Sequence, residues 1–388
     1  MRATLTVICI WLVSLGAAAQ FGKFAVLFDR VAAAYPMQPA PVIGLIVSTV
    51  GFVGLIFGTT AGLFVSALGY KRVMIWALIA GAAISALEAL MPPLPILLAF
   101  RALEGGSHLA LVVAAPVLTA QLASPRYQAA AMTLYSSFFA VSFAGLGVLG
   151  PRLADIAGLP AVYLGHAGYM LASCALMAVL LPKDQPGIMP KLSLAGLARQ
   201  HKQVYADARQ AAPAMGFVCY TITFVAFLTV MPQQFLGRPE QAILATFMPL
   251  VSVALSLTLG IWMMQRMPAY RLVQAGFGVA VLFSLALWLA WGQDLPTVLA
   301  AFGIAGALGL VQSASFAAVA QLNPDPESRT RSAGAIAQLG NLGTTSGTPL
   351  LVWLIAVAGI NGLALFLAAF SALGIALHAV QARRRSAN

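Results

Sequence analysis

Apolar runs of roughly twenty residues recur from one end of this chain to the other, each long enough to cross the ~30 Å hydrocarbon core of a bilayer. That recurrence limits the fold more than any other feature. Lipid offers no hydrogen bonds to a bare backbone, so a spanning segment must be a helix or a strand of a closed barrel. The ten-residue alternating strands of a barrel are absent, which leaves helices. Composition agrees: of 388 residues, 61% are hydrophobic and 8% charged, and the mean hydropathy is +0.92, whereas a soluble domain is roughly a quarter charged.

Twelve spans are expected, near 4–29, 40–67, 73–91, 94–121, 127–151, 160–181, 212–234, 240–264, 270–292, 296–321, 332–358 and 361–381. With twelve, the basic loop residues separate by side. Sixteen of them, among them Arg2, Lys71, Arg72, Arg126, Lys191 and Arg383 to Arg385, fall on one side, and Arg30, Arg152 and Arg238 on the other. The positive-inside rule then puts both termini and the long middle loop in the cytoplasm of an inner or plasma membrane. Met1 to Gln20 has the basic start, apolar stretch and small-residue run of a secretory signal, but the apolar character continues to Phe28, so a retained span is expected.

The net charge of +11 serves this topology, not nucleic acid. Cys9, Cys174 and Cys219 are odd in number and lie inside apolar runs, which excludes a disulfide framework or a zinc site. No H-E-x-x-H, G-x-S-x-G or P-loop is present, so no enzyme, metal or cofactor is expected.

Pro182 to Gln210, with five basic and two acidic residues, is the only long polar stretch and divides the helices six and six. The expected organisation is a bundle over 1–181, a linker over 182–210 and a second bundle over 211–388. The bundles resemble each other. Leu94-Pro95 through Gln121-Leu122 parallels Leu295-Pro296 through Gln321-Leu322, Gly62 parallels Gly260, and Gly150-Pro151 parallels Gly347-Thr348-Pro349. A six-helix repeat of about 200 residues is a mark of secondary transporters.

The chain resembles the major facilitator superfamily over essentially its whole length. That family's loop motif between helices two and three, G-x-x-x-D-R-x-G-R-R/K-R/K, stands here as Gly62 to Arg72: Gly62, Gly69, Lys71 and Arg72 match, while Ser66 replaces the acid and Ala67 the base. The resemblance implies a gating role for the four matching residues, and the missing acid removes a latch that helps close the cytoplasmic side in the family. Arg101-Ala102-Leu103-Glu104-Gly105 resembles the family's R-x-x-Q-G motif, whose arginine is implicated in proton coupling. Gly145 to Pro151 partly resembles the glycine-proline signature of antiporters; it also spells G-x-G-x-x-G, but without a preceding strand that reading fails.

Charges inside hydrocarbon cost roughly 2.5–3.5 kcal/mol each on insertion scales, so each needs a polar setting. Lys23, Glu88, Arg101, Glu104 and His108 stand out. Arg101, Glu104 and His108 share one face of helix four by spacing, at about 10, 15 and 21 Å from its outer end at 1.5 Å per residue. The resemblance places helices one, four, seven and ten around a central cavity, with Lys23 and Gln20 facing that stripe. Lys23 and Arg101 against Glu104 leave one positive charge, which a small organic anion would neutralise; a Glu88 partnership would weaken that argument. His166, near the outer end of helix six, is expected at a surface or in packing. Tyr220 and Gln312 are the expected cavity residues of the second half, with Tyr135 lining the path from the first.

The expected function is a secondary transporter, coupled to protons and carrying a small organic anion by alternating access. Arg101 and Lys23 would meet substrate charge, Glu104 would take the proton and His108 would relay it or hydrogen-bond; the alternative is that Arg101, Glu104 and Lys23 form a buried polar network that only fixes helix packing. Rivals are a proton-driven drug or metabolite efflux antiporter, and a non-transporting membrane receptor or scaffold. The expected partners are the substrate, protons and lipid; the chain is expected to act as a monomer.

Overall fold

The computed structural model of the chain describes residues 2–124, 127–184 and 194–387. Arg126, Lys191 and the middle of the expected linker lie outside the described residues. Among those described, every regular element is helical.

Ten helical stretches are long and apolar enough to cross a membrane. Two of them, Phe138–Leu180 and Ser328–Ser386, are of double length, at 43 and 59 residues. Each is broken by one glycine outside helical geometry: Gly158 at φ 77°, ψ 172°, and Gly359 at φ 56°, ψ −135°. Residues with a Cβ rarely adopt such angles. Leu153 touches the position of a Cβ on Gly165, whereas in an unbroken helix residues twelve apart would be separated by about 18 Å. The chain therefore doubles back at Gly158, and the contact between the Leu354 carbonyl and Gly362 shows the same reversal at Gly359. The two turn glycines are 201 residues apart. Leu94–Leu122 and Asp294–Leu322, both of 29 residues, repeat at nearly the same offset.

We label the spans α1 (Arg2–Ala25), α2 (40–68), α3 (Tyr70–Glu88), α4 (Leu94–Leu122), α5 (128–157), α6 (159–180), α7 (Ala208–Val230), α8 (Pro239–Met264), α9 (Ala269–Leu289), α10 (Asp294–Leu322), α11 (326–358) and α12 (360–387). A further helix, Leu194–Ala206, occupies the end of the linker.

The unbroken helix expected over 40–67 is not observed. Ala40–Ser48 passes through a 3-10 turn at Thr49–Gly51 into Phe52–Phe57, and a new segment starts at Ala61. Glycine is a poor helix former, and threonine hydroxyls compete for carbonyls: Thr49 Oγ1 donates to the Leu45 carbonyl at 2.6 Å and Thr60 Oγ1 to that of Phe57 at 3.2 Å. The glycines have a second use. A Cβ on Gly44 would stand 3.0 Å from Pro349 Cα, and Gly51, Gly54 and Gly58 leave no more room against Thr345, Asn341 and Gln338. Helices α2 and α11 thus meet nearly backbone to backbone, as small residues permit in membranes. Gly147 does the same between α5 and α8, where a Cβ would lie 2.9 Å from the Ala245 carbonyl. The first helix of each expected half is the most enclosed: 89% of the apolar window of α7 and 72% of that of α1 are buried.

Candidate functional site

The charged side chains of α1, α3 and α4 converge on one another. Lys23 Nζ lies 2.5 Å from Glu88 Oε2 and donates to Glu104 Oε1 at 2.7 Å and to Ser85 Oγ at 2.8 Å. Arg101 Nη1 donates to Glu104 Oε2 and reaches Glu88 Oε1 at 3.5 Å. All four side chains are fully buried. An isolated ion would cost several kcal/mol here, so the arrangement survives by opposing each charge directly.

Arg101 carries five N–H donors in a rigid fork and has to place them all. Its Nε donates to the Ile46 carbonyl at 2.8 Å, and Nη2 to those of Gln20 at 2.7 Å and Val47 at 3.4 Å. A carbonyl has two lone pairs, so these backbone oxygens can serve their own helix and the guanidinium together. The guanidinium also lies 4.4 Å from the centre of the Phe24 ring, which stacks on Tyr163 at 4.8 Å. One arginine thereby ties α4 to both α1 and α2.

Two expectations are corrected. Glu88 does pair with both cations, so two positive and two negative groups form a neutral set, and the excess positive charge expected from Lys23, Arg101 and Glu104 vanishes. His166 is neither a surface residue nor simple packing. It sits two turns into α6 facing α1, with Nδ1 2.9 Å from Ser85 Oγ and 3.4 Å from Lys23 Nζ, and Nε2 3.0 Å from the Gly16 carbonyl. The expected start of the helix holds to one residue, but its rotation, invisible in a list of spans, turns His166 inward.

Lys23 also does not face the α4 stripe across a cavity; it is bonded to it. Among the described residues, the polar partners of the four charges come from α1, α2, α3, α4 and α6. Gln20 Nε2 donates to Ser107 Oγ at 2.9 Å, and Ser107 to the Ala77 carbonyl at 2.7 Å. His108 Nδ1 lies 2.9 Å from the Ala17 carbonyl, with its ring edge-on to Phe21 at 5.0 Å, and no hydrogen bond joins it to Glu104. Sequence reasoning missed Ser85, Ser107 and Tyr163. Helical spacing could have found all three, since each lies three residues from Glu88, Glu104 or His166 on the same face.

The other expected lining residues lie elsewhere. Tyr135 stacks on Phe138 at 5.0 Å and donates to the Val112 carbonyl of α4 at 3.4 Å. Tyr220 is buried between Phe217 at 5.1 Å and Phe224 at 5.0 Å, and Gln312 is half-buried on α10. None of the three shares a hydrogen bond with the charge cluster.

The expected gating loop is held from one side. Gly69 turns at φ 95°, and the Asp184 carboxylate accepts from the amides of Lys71 at 2.9 Å and Arg72 at 2.8 Å, capping the start of α3. Lys71 Nζ donates to the carbonyls of Ala178 at 2.6 Å and Leu181 at 2.7 Å, at the end of α6. The carboxylate missing at Ser66 is thus supplied to this loop from the far end of α6, beside a cavity of about 300 Å³ lined by Ser66, Gly69, Lys71 and Asp184. A Cβ on Gly62 would meet nothing within 4 Å.

The sequence profile of the Major Facilitator Superfamily matches residues 6–290. Among curated proteins, none matches. Among solved structures, the chain is similar to the human organic anion transporter MFSD10 (TETRAN), with a TM-score of 0.70 and 18% identity over 98% of this chain and 99% of that one. It is also similar to a bacterial homolog of the human lysosomal transporter Spinster, in an inward-facing and unoccupied conformation, with a TM-score of 0.74 and 13% identity over 98% and 97% of the two chains. At these identities the likeness speaks for the fold alone.

Proposed function

Because this multi-pass membrane chain belongs to the major facilitator superfamily, whose members are secondary transporters and not enzymes, we propose that it couples protons to the movement of a small organic anion. The two halves, 1–181 and 211–388, rock about a site between them, and both termini face the cytoplasm, a reading supported by the sixteen-to-three asymmetry of basic loop residues.

The supporting observation is the closed, neutral set of Lys23, Glu88, Arg101 and Glu104. A net charge is costly in a medium of low dielectric, so the set resists gaining or losing a single charge. When one carboxylate takes a proton, a positive charge on Arg101 or Lys23 is released from its partner. A monoanion arriving from the aqueous path supplies the missing counter-charge, and its departure returns the carboxylate to the base. Proton and anion therefore travel in a one-to-one, electroneutral step. Glu104 is the proton carrier in this scheme because it bonds both cations closely, whereas Glu88 reaches Arg101 only at 3.5 Å, and Arg101 and Lys23 are the anion's partners. His108 holds the α1 backbone beside them.

The reading is tested in proteoliposomes with an imposed pH gradient and a panel of radiolabelled mono- and dicarboxylates. Glu104→Gln should abolish proton-driven accumulation and spare exchange at equal pH. Full gradient-driven uptake by Glu104→Gln refutes the proton assignment, and failure of every carboxylate with the wild type refutes the anion.

A further inference from the structure

The linker helix Leu194–Ala206 does more than connect. His201, Val204 and Tyr205 fall on one face of it by spacing, and Val204 is buried while Arg199, Lys202 and Gln203 are exposed. Its end is fixed to the second half: Arg384 Nη2 of α12 donates to the Ala206 carbonyl at 2.8 Å, and Asp207 caps α7 by accepting from the Arg209 amide at 2.7 Å. From that anchorage the helix reaches across to α2 of the first half.

The crossing is made around Gln338 of α11. Tyr205 Oη donates to Gln338 Oε1 at 2.8 Å, and Gln338 Nε2 donates to the Leu55 carbonyl of α2 at 3.0 Å. A carbonyl can only accept, so the amide nitrogen must face Leu55 and the amide oxygen Tyr205. Gln338 Nε2 also lies 2.7 Å from His201 Nε2. With the amide so oriented, its second N–H points at the ring, and His201 Nε2 accepts while Nδ1 carries the hydrogen. His201 Nε2 is also 3.3 Å from Thr59 Oγ1 of α2. The Leu55 carbonyl lies in the last turn of the Phe52–Phe57 segment, where the run of regular helical hydrogen bonds in α2 stops. The approach is close, since a Cβ on Gly58 would stand 2.7 Å from Gln338 Cα.

We propose that the linker helix is a working part of the gate: His201 and Tyr205 are positioning residues that aim the Gln338 amide at Leu55, holding the linker-side end of the two halves shut. Opening that end separates α2 from α11, and the bonds lost are Gln338 to Leu55 and His201 to Thr59. The bonds of Gln338 to His201 and Tyr205 stay intact within the second half, so the clasp is ready to close again. A neutral amide clasp accounts for a seam that closes in a chain with Ser66 where a latching acid would stand. The inference rests on the two halves rocking apart and not on proton coupling, so it survives or fails separately from the Glu104→Gln result.

The test is hydrogen exchange followed by mass spectrometry on the full chain in lipid nanodiscs, without substrate. For each hydrogen bond lost, amides of 52–60 and 334–342 should exchange about fivefold faster. His201→Leu and Tyr205→Phe should both show this, while 40–48 and 345–352, at the opposite end of the same seam, keep the wild-type rate. His201→Gln, which restores an acceptor for the Gln338 amide, should return the rate to within about twofold of wild type. Unchanged exchange in both His201→Leu and Tyr205→Phe overturns the proposal. So does acceleration at both ends of the seam, which would make these residues general supports of the fold, and so does a failure of His201→Gln to restore protection.

Discussion

Replacing Lys23 with methionine keeps the length and apolar stem of the side chain and removes only the charge. Glu88 and Glu104, whose oxygens lie 2.5 and 2.7 Å from Nζ, would then face a single guanidinium. Removing one member of a buried ion pair costs about 3–5 kcal/mol, because the partner is left buried and uncompensated. Glu88→Gln alone leaves two cations facing one carboxylate and should cost a similar amount. The double variant Lys23→Met/Glu88→Gln leaves Arg101 and Glu104 as a neutral pair, and loses mainly the Lys23 bonds to Glu104, Ser85 and His166, at about 1 kcal/mol each. The two single costs would add to about 6–10 kcal/mol, and the double variant should cost only about 2–3 kcal/mol. Equilibrium unfolding in mixed micelles, followed by the fluorescence of the six tryptophans, measures all four proteins. If the double variant costs the sum of the singles to within about 0.5 kcal/mol, Lys23 and Glu88 are not opposing charges, and the neutral-set argument fails with them.

Gly44 and Gly62 should behave oppositely: Gly44→Val pushes into Pro349, 3.0 Å away, and should cost about 1–3 kcal/mol, while Gly62→Ala enters open space and should cost nothing in the same unfolding assay. Asp184→Ala strips the acceptor from the Lys71 and Arg72 amides, and the unfolding midpoint should fall by the equivalent of about 0.5–2 kcal/mol. Tyr205 gives a pH signature. Burial pushes its hydroxyl up to about 12, whereas the unfolded chain ionises near 10, so above pH ~10 the unfolded state holds fewer protons and stability falls as pH rises. Tyr205→Phe should flatten part of that fall, and an unchanged alkaline slope would show that the hydroxyl is not shielded.

Much of this architecture is legible in the residues because hydrocarbon imposes a simple demand on each span separately. The turns at Gly158 and Gly359 were less so, since a glycine between two apolar helices looks like any packing glycine until its φ is seen. Spacing along α4 brings Arg101 and Glu104 onto one face, and Lys23 is readable at similar depth from its distance to the end of α1. The choice of Glu88 and His166 as further partners depends on how α3 and α6 are rotated against α1. No one-dimensional pattern carries that. The linker shows the converse: the spacing of His201, Val204 and Tyr205 is visible in the sequence, but its polar composition reads as simple connection until Gln338 is seen beneath it.

Arg101 grips the main chain of α1 at Gln20 and of α2 at Ile46 and Val47 while standing on α4. Bonds to backbone oxygens do not depend on which side chains those positions carry, so neighbouring residues can drift in identity without loosening the joint. Flexing is therefore denied to this corner of the molecule, and three helices travel as one stiff body whenever the protein changes shape. Lysine could not substitute here: a single ammonium tip cannot reach carbonyls on two helices and two carboxylates at once.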